Sequence, residues 1–143
     1  MDDLTSRDRK FLIFSLQGSF FALNLTQVAE ISDPPEMWPI PLAPACYSGA
    51  LHFHGDIVAV MNLALFLGLT GSGKPGKIIV LYKEVASLAF LVDTVGRIVS
   101  EEDITFSTPS DGCFAAATLG FIDGSATLLD LEALVREAEI VMT

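Results

Sequence analysis

The sequence predicts a mainly β protein, a small barrel duplicated along one chain and finished by short helices. Three observations predict it: short runs of β-branched and aromatic residues, turn signals between them, and an order of elements that begins again half-way along. Phe11 to Leu16 is the first run, Gln17-Gly18 marks a turn, and Phe20 to Leu25 resumes the pattern as a hairpin should. Val28-Ala29-Glu30-Ile31 follows, with Val28 and Ile31 expected inward and Glu30 in water. Prolines at 34, 35, 39, 41 and 44 exclude helix and central strand, which leaves an extended connector from Asp33 to Ala45. Ala50 to Phe53, the turn His54-Gly55-Asp56 and Ile57 to Met61 make the next hairpin. Asn62 then caps a short helix, Leu63 to Leu67, stopped by Gly68.

The order now repeats. Ile78 to Tyr82 and Ala86 to Val92 form a hairpin around Lys83-Glu84, and Val95-Gly96-Arg97-Ile98 stands 67 residues after Val28-Ala29-Glu30-Ile31. The polar stretch Ser100 to Gly112 takes the connector's place. Phe114 to Phe121, the turn Asp123-Gly124 and Ala126 to Leu129 make the last hairpin, and Asp130-Leu131 stands 68 residues after Asn62-Leu63. Leu131, Leu134, Val135 and Ala138 share one face of a closing helix with Asp130 as its N-cap. Each barrel is expected to close from consecutive chain: a tail over 1–10, then a domain over 11–138 made of a first barrel over about 11–69, a loop over 70–76, a second barrel over about 77–129 and the helix, which runs over about 130–140.

Composition narrows the function. A chain of 143 residues fits one domain or two very small barrels, and eighteen acidic against eight basic residues give a formal charge of -10, which repels nucleic acid and anionic lipid. The longest apolar stretch, Ile57 to Leu69, is broken by Asn62 and Gly68 and is shorter than the roughly 20 residues a spanning helix needs. The first ten residues lack the apolar core of a secretory signal, so a cytoplasmic protein with reduced Cys46 and Cys113 is expected.

No catalytic constellation emerges, and neither an enzyme nor a cofactor is expected. Gly68 to Lys74 has the spacing of a phosphate-binding loop, but Pro75 replaces the Ser or Thr hydroxyl and a strand follows where the motif needs a helix. His52, His54 and Asp56 alternate and could chelate a metal from one strand face; a solvent-facing strand that turns at Gly55 explains them more simply. Trp38, alone among prolines, either plugs a barrel end or stands out as an anchor, and the plug is the expected reading.

Four blocks, in order, resemble the CheW-like family of bacterial chemotaxis coupling proteins over roughly Phe11 to Ala138. They are Phe11-Leu12-Ile13-Phe14 running to Leu25-Thr26-Gln27-Val28-Ala29-Glu30-Ile31; Pro41 to Pro44 and Tyr47-Ser48-Gly49 with His54 to Leu63; Leu91 to Ile98; and Leu119 to Leu131. The resemblance implies two five-stranded SH3-like barrels in tandem with short helices. It also implies a non-catalytic scaffold that joins transmembrane chemoreceptors to a sensor histidine kinase. In that family the kinase's regulatory domain has the same fold, barrels meet end to end, and a receptor's helical tip rests between barrels. Recruitment to membrane receptor arrays would follow. Matched onto this chain, the implied partner-binding positions are Val28, Glu30, Ile31, Gly49, Leu51, His54, Gly55 and Ile57.

The chain departs from the family pattern at three of these positions or beside them: His54 stands for Arg, Ala59 for Pro and Asn62 for Asp. Imidazole lacks the bidentate guanidinium fork, so a carboxylate contact there weakens. His54 and Ala59 leave one alternative, an adaptor of a non-flagellar pathway such as surface motility; His52, His54, Asp56 and the phosphate-loop spacing leave another from a different class, a metal- or nucleotide-binding protein.

Overall fold

A computed structural model describes residues 9–69, 74–109 and 114–142. The strands are β1 (Lys10–Leu16), β2 (Ser19–Asn24), β3 (Val28–Ser32), β4 (Tyr47–Phe53), β5 (Asp56–Asn62), β6 (Lys77–Leu81), β7 (Leu88–Val92), β8 (Thr94–Ser100), β9 (Thr105–Ser107), β10 (Ala115–Phe121) and β11 (Gly124–Leu129). Helix α1 (Leu63–Phe66) follows β5, and α2 (Leu131–Met142) closes the chain. Both hairpin turns of the first half are left-handed at their central residues: φ is 52° at Gln17 and 88° at Gly18, then 51° at His54 and 85° at Gly55. Such turns match the twist of the strands they join.

The strands form two sheets. Sheet I has the order β8-β1-β2-β11-β10-β9 and sheet II the order β3-β6-β7-β5-β4. The expected division into a barrel over 11–69 and another over 77–129 is therefore corrected. Hairpin β1–β2 lies in sheet I with β8 to β11, while hairpin β6–β7 lies in sheet II with β3 to β5. The two halves have exchanged their first hairpins.

The repeat itself is preserved residue by residue. Val28 pairs with Leu81, and 67 residues away Phe14 pairs with Val95; Ile31 pairs with Ile79 as Leu12 does with Ile98. The parallel pair Ala59 and Leu88 is matched by Thr127 and Phe21. Both end hairpins carry a bulge, between Tyr47 and Gly49 and between Ala115 and Ala117. Asn62 Oδ1 accepts the Leu65 amide at 3.2 Å and Asp130 Oδ1 the Ala133 amide at 3.1 Å, so both predicted N-caps are present.

The physical reason for the exchange is that the first hairpins are apolar on both faces. On one face Phe11, Ile13 and Ala22 join Val99, Leu119 and Ala126 inside sheet I. Ile78, Val80, Ala89 and Leu91 join Leu51, Val58 and Val60 inside sheet II. On their other faces Leu12, Phe14, Leu16 and Leu23 meet Ile79, Leu81, Phe90 and Val92 in a third core shared by the two halves, completed by Leu131, Leu134 and Ala138 of α2. Exchange puts the two double-faced hairpins in the middle of the molecule, where each has cover on both sides.

The segment 101–104 joins the edge strands β8 and β9 of sheet I, and Phe11 of β1 meets Phe106 of β9 edge-on at 5.9 Å, so the sheet curls round its core. Arg9 fastens this seam. Its guanidinium forks onto Glu101 with two 3.0 Å bonds and lies 5.5 and 5.6 Å from the Phe11 and Phe106 ring centres.

Only short crossings connect the sheets, Leu25–Gln27 outward and Asp93 on the return. Asp93 secures the second crossing: its Oδ2 accepts the Gln17 amide at 2.7 Å and its own amide donates to the Ser15 carbonyl at 3.1 Å. Asp93→Ala leaves the Gln17 amide without this acceptor at a part-buried crossing. The substitution is expected to cost about 1–3 kcal/mol, measured by urea unfolding; an unchanged midpoint would show that water replaces the carboxylate at no cost.

Candidate functional site

The positions singled out in the sequence gather at the outer end of sheet II. Edge strand β3 carries Glu30 and Ile31 there, and the β4–β5 hairpin carries His54, Gly55 and Ile57. Glu30, His54 and Gly55 are exposed, Ile31 retains 37% of its accessible surface and Ile57 66%. A large aliphatic side chain left two-thirds in water at a sheet end is unusual enough to mark a contact surface when others adjoin it. Between these elements lies a groove of about 320 Å³ lined by Ala29, Phe53, His54, Asp56, Tyr82 and Lys83 among others. Lys83 and Asp56 approach to 3.9 Å, and the His54 ring meets Phe53 edge-on at 4.2 Å.

Three of the expected contact residues are not presented to a partner. Val28 and Leu51 are buried, Val28 in the shared core and Leu51 inside sheet II, so they support the surface from beneath. Gly49 is buried as well, at φ 151°. A Cβ on it would stand 2.6 Å from the Trp38 carbonyl oxygen. The backbone that approaches Gly49 is thus the chain's own connector, where the sequence reading had expected a partner. The bulge between Val28 and Glu30 sets Ile31 opposite Ile79, on the same face as Val28. On an edge strand with no neighbour on its outer side, Ile31 stays 37% exposed where it was expected inward.

The connector is held along β4 by two bonds, Trp38 amide to Ala50 carbonyl at 2.8 Å and Ala50 amide to Trp38 carbonyl at 2.7 Å. The Trp38 ring meets His52 edge-on at 5.0 Å and stays 54% exposed, so it plugs no barrel end; its neighbour Met37 packs against the sheet II core instead. His52, His54 and Asp56 go separate ways, onto Trp38, Phe53 and Lys83, and among the described residues no group of metal-ligating side chains gathers. The phosphate-loop pattern lies partly outside the described residues, as does Cys113. Cys46 is half-buried, and burial pushes its thiol pKa up from the ordinary cysteine range.

Sequence reasoning missed a second apolar end, on sheet I. Ile98 of edge strand β8 is 51% exposed and Ile122, in the β10–β11 turn, is wholly exposed. A groove of about 250 Å³ there is lined by Phe20, Gly96, Arg97, Phe121 and Asp123 among others. Arg97 is hydrogen-bonded to Asp123, which lowers that carboxyl's pKa, and lies 4.8 Å from the Phe121 ring centre. The 67-residue offset already signalled this end, since it maps Glu30-Ile31 onto Arg97-Ile98. Between the sheets lies the shared core, and a cleft of about 330 Å³ beside α2 is bounded by Tyr47, Ala59, Leu88 and Val135 among others. No helix among the described residues is long and apolar enough to cross a membrane.

Comparison with known proteins agrees with this fold. A model of the CheW-like domain matches residues 10–139. The chain belongs to the CheW-like family. A probable chemotaxis protein CheW of Rhizobium etli is 26% identical, with 95% of this chain and 93% of the relative aligned. The chemotaxis protein CheW of Thermotoga maritima is 24% identical over 94% and 92% of the two chains. The crystal structure of the scaffolding protein TtCheW from Thermoanaerobacter tengcongensis superposes with a TM-score of 0.76 at 23% identity, covering 89% of this chain and 92% of that one. The fold is therefore shared with that structure, and the CheW-like fold seen here is mainly β as the sequence predicts.

Gly49→Ala tests the connector's seat. Its Cβ meets backbone and its φ is strained, so stability is expected to fall by about 1–3 kcal/mol, followed through thermal unfolding; quenching of Trp38 fluorescence should rise as the connector lifts. Unchanged stability and quenching would show that the connector is only loosely laid on β4.

Proposed function

We propose that this protein is a non-catalytic adaptor of bacterial chemotaxis-type signalling, coupling chemoreceptors to a sensor histidine kinase. The observation that carries the proposal is the exposed rim of sheet II, in a chain that matches the CheW-like domain over residues 10–139. Glu30, Ile31, His54 and Ile57 stand there on rigid strands and a tight turn, backed by the buried Val28 and Leu51. The kinase's regulatory domain, of the same fold, docks on this rim, and a receptor's helical tip engages the protein beside it. Binding supplies proximity and orientation, and the adaptor itself makes and breaks no covalent bond.

Physical support comes from the kind of surface. Edge strand β3 offers unpaired backbone groups along one side, and the flanking isoleucines offer apolar area that water covers poorly. His54 stands where the family resemblance places an arginine, so the chain brings a donor without the bidentate guanidinium fork to any carboxylate on its partner.

Titration of the purified chain with the regulatory domain of the histidine kinase from the same cell is the direct test. Saturable binding between micromolar and near-millimolar concentrations is expected, with Ile57→Asp weakening it at least about tenfold because a carboxylate must then be buried in an apolar contact. Absence of saturable binding over that range, or an Ile57→Asp variant that binds like the parent, would remove sheet II's rim from the adaptor's working surface.

A further inference from the structure

The connector carries a leucine where its backbone suits a glycine. Ile40-Pro41-Leu42-Ala43 is a tight turn closed by the Ala43 amide on the Ile40 carbonyl at 3.3 Å, and φ is 62° at Leu42, its third position. Proline second and a positive φ third mark a type II turn, whose third position favours Gly or Asn because a Cβ there is crowded by backbone. Among the described residues three other non-glycines have positive φ. Gln17 and His54 are polar and sit at hairpin tips, while Phe114 packs on the shared core and stacks on Phe66. Leu42 alone combines the strained backbone with an apolar side chain wholly exposed to water. Strain that no internal packing offsets points to a contact outside the molecule.

The surroundings hold Leu42 out. Asp33 is tied to Lys77 at 2.7 Å, Trp38 is bonded to Ala50, Met37 packs on the sheet II core and the Tyr47 amide donates to the Pro44 carbonyl at 3.0 Å, so the connector is fixed on both sides of the turn. Pro39, Pro41 and Pro44 stiffen what lies between. Pro39 and Pro41 are exposed and the Trp38 ring half-exposed, which makes an apolar strip from Trp38 to Leu42. From Met37 to Gly55 the chain has no Asp, Glu, Lys or Arg, in a molecule of formal charge -10. The strip joins β4 at Ala50, and β4 runs on to His54, so it is continuous with the rim of sheet II.

We propose that the connector is a docking surface whose anchor is Leu42, set into an apolar hole on a packed pair of helices. Shape argues for that occupant. A single side chain on a convex turn needs a concave partner, and packed helices offer grooves between their ridges and holes formed by about four side chains each. Charge argues the same way, since a strip without ionisable groups leaves a charged partner surface unpaired and an apolar groove satisfied. The prolines limit the freedom lost on binding. A lipid surface fits less well, because a chain of formal charge -10 is repelled by anionic headgroups. The inference rests on the adaptor reading for the identity of the helices, a chemoreceptor's cytoplasmic hairpin, and adds to it the connector as a place of contact.

Titration of the full chain with a tryptophan-free cytoplasmic fragment of a chemoreceptor from the same cell reads the contact through Trp38, the chain's only tryptophan. Its emission should move to shorter wavelength as the fragment saturates the chain. Leu42→Asn, which suits the turn and removes the apolar side chain, should weaken binding at least about tenfold while unfolding at the parent's temperature or above. Leu42→Met keeps an apolar side chain of similar volume and should bind within about twofold of the parent. Both variants should bind the kinase's regulatory domain as the parent does. The proposal is overturned by unshifted Trp38 emission at saturation, or by a Leu42→Asn variant that binds the fragment like the parent. It is overturned equally if Leu42→Asn unfolds at a lower temperature, since the leucine would then be packing inside the molecule, or if the parent sediments with phospholipid vesicles and Leu42→Asn does not. Each of these leaves the adaptor reading in place while the parent still binds the fragment. A parent that does not bind the fragment removes receptor coupling and this inference together.

Discussion

The structure depends on two hairpins that are apolar on both faces. A strand pair with one wet face can sit at a protein's surface, but β1–β2 and β6–β7 present side chains such as Phe11 and Phe14, or Ile78 and Ile79, to opposite sides. Each needs cover twice, and a chain of 143 residues has little to spare for it. Setting the hairpins back to back solves the problem: each closes its own sheet on one face and covers the other hairpin on the second. A full burial of one such side chain contributes about 1.5–3 kcal/mol, so the shared core makes the halves thermodynamically dependent on one another. Sheet II is built from the consecutive strands β3 to β7, whereas sheet I joins β1–β2 to β8 through β11, and the two short crossings at Leu25–Gln27 and Asp93 carry the connectivity.

That same arrangement decides which surfaces are free to bind. The double-faced hairpins occupy the interior of the molecule, which pushes the single-faced strands β3 and β8 to the sheet edges. Connector and closing strand then treat the far edges differently. In sheet I three residues of β9 pair with β10, whereas in sheet II the connector pairs with β4 at Trp38 alone. Prolines at 34, 35 and 39 explain the difference, because they remove the amide donors a longer ladder would use. The ends of the two sheets are thus alike in outline and unlike in detail. One carries Glu30 and His54, the other Arg97 and Ile122.

Local features were legible in the sequence because their causes are local. The tight turns need residues tolerant of positive φ, the helices need an oxygen at the cap, and Asn62 and Asp130 supply it at the same place in each repeat. The identity of a strand's neighbour was not legible. With β3 and β8 equivalent to the residue, β1 can pair with either in the same register, and no pattern of apolar residues separates the two choices; only burial of the second face does. The candidate site shows the same limit. Glu30 read correctly as exposed, while Ile31, on the same face as Val28 as expected, keeps 37% of its surface in water because its strand lies at the sheet's edge. Gly49 was singled out for the right property, close approach of backbone, but the approaching backbone belongs to Trp38. Asp93 drew notice as part of a family segment, and its bond to the Gln17 amide, 76 residues away, has no signature in either neighbourhood.

A shared core also bears on how an adaptor without moving parts can link two partners. A ligand shifts a conformational equilibrium only to the extent that it binds the two states differently, so a passive bridge transmits nothing beyond proximity unless its own packing is coupled. Here the two ends are joined through close-packed side chains of both hairpins and of α2, whose Leu134 and Ala138 lie in the shared core and whose Ala138 carbonyl accepts the Tyr47 hydroxyl at 3.2 Å. Interiors of this density are stiff, and a displacement at one rim is resisted by the whole. Coupling in such a body favours orientation over shape change: fixing one partner on the rim of sheet II fixes the direction in which the rim of sheet I points. The fold therefore suits a component whose output is the relative placement of its neighbours.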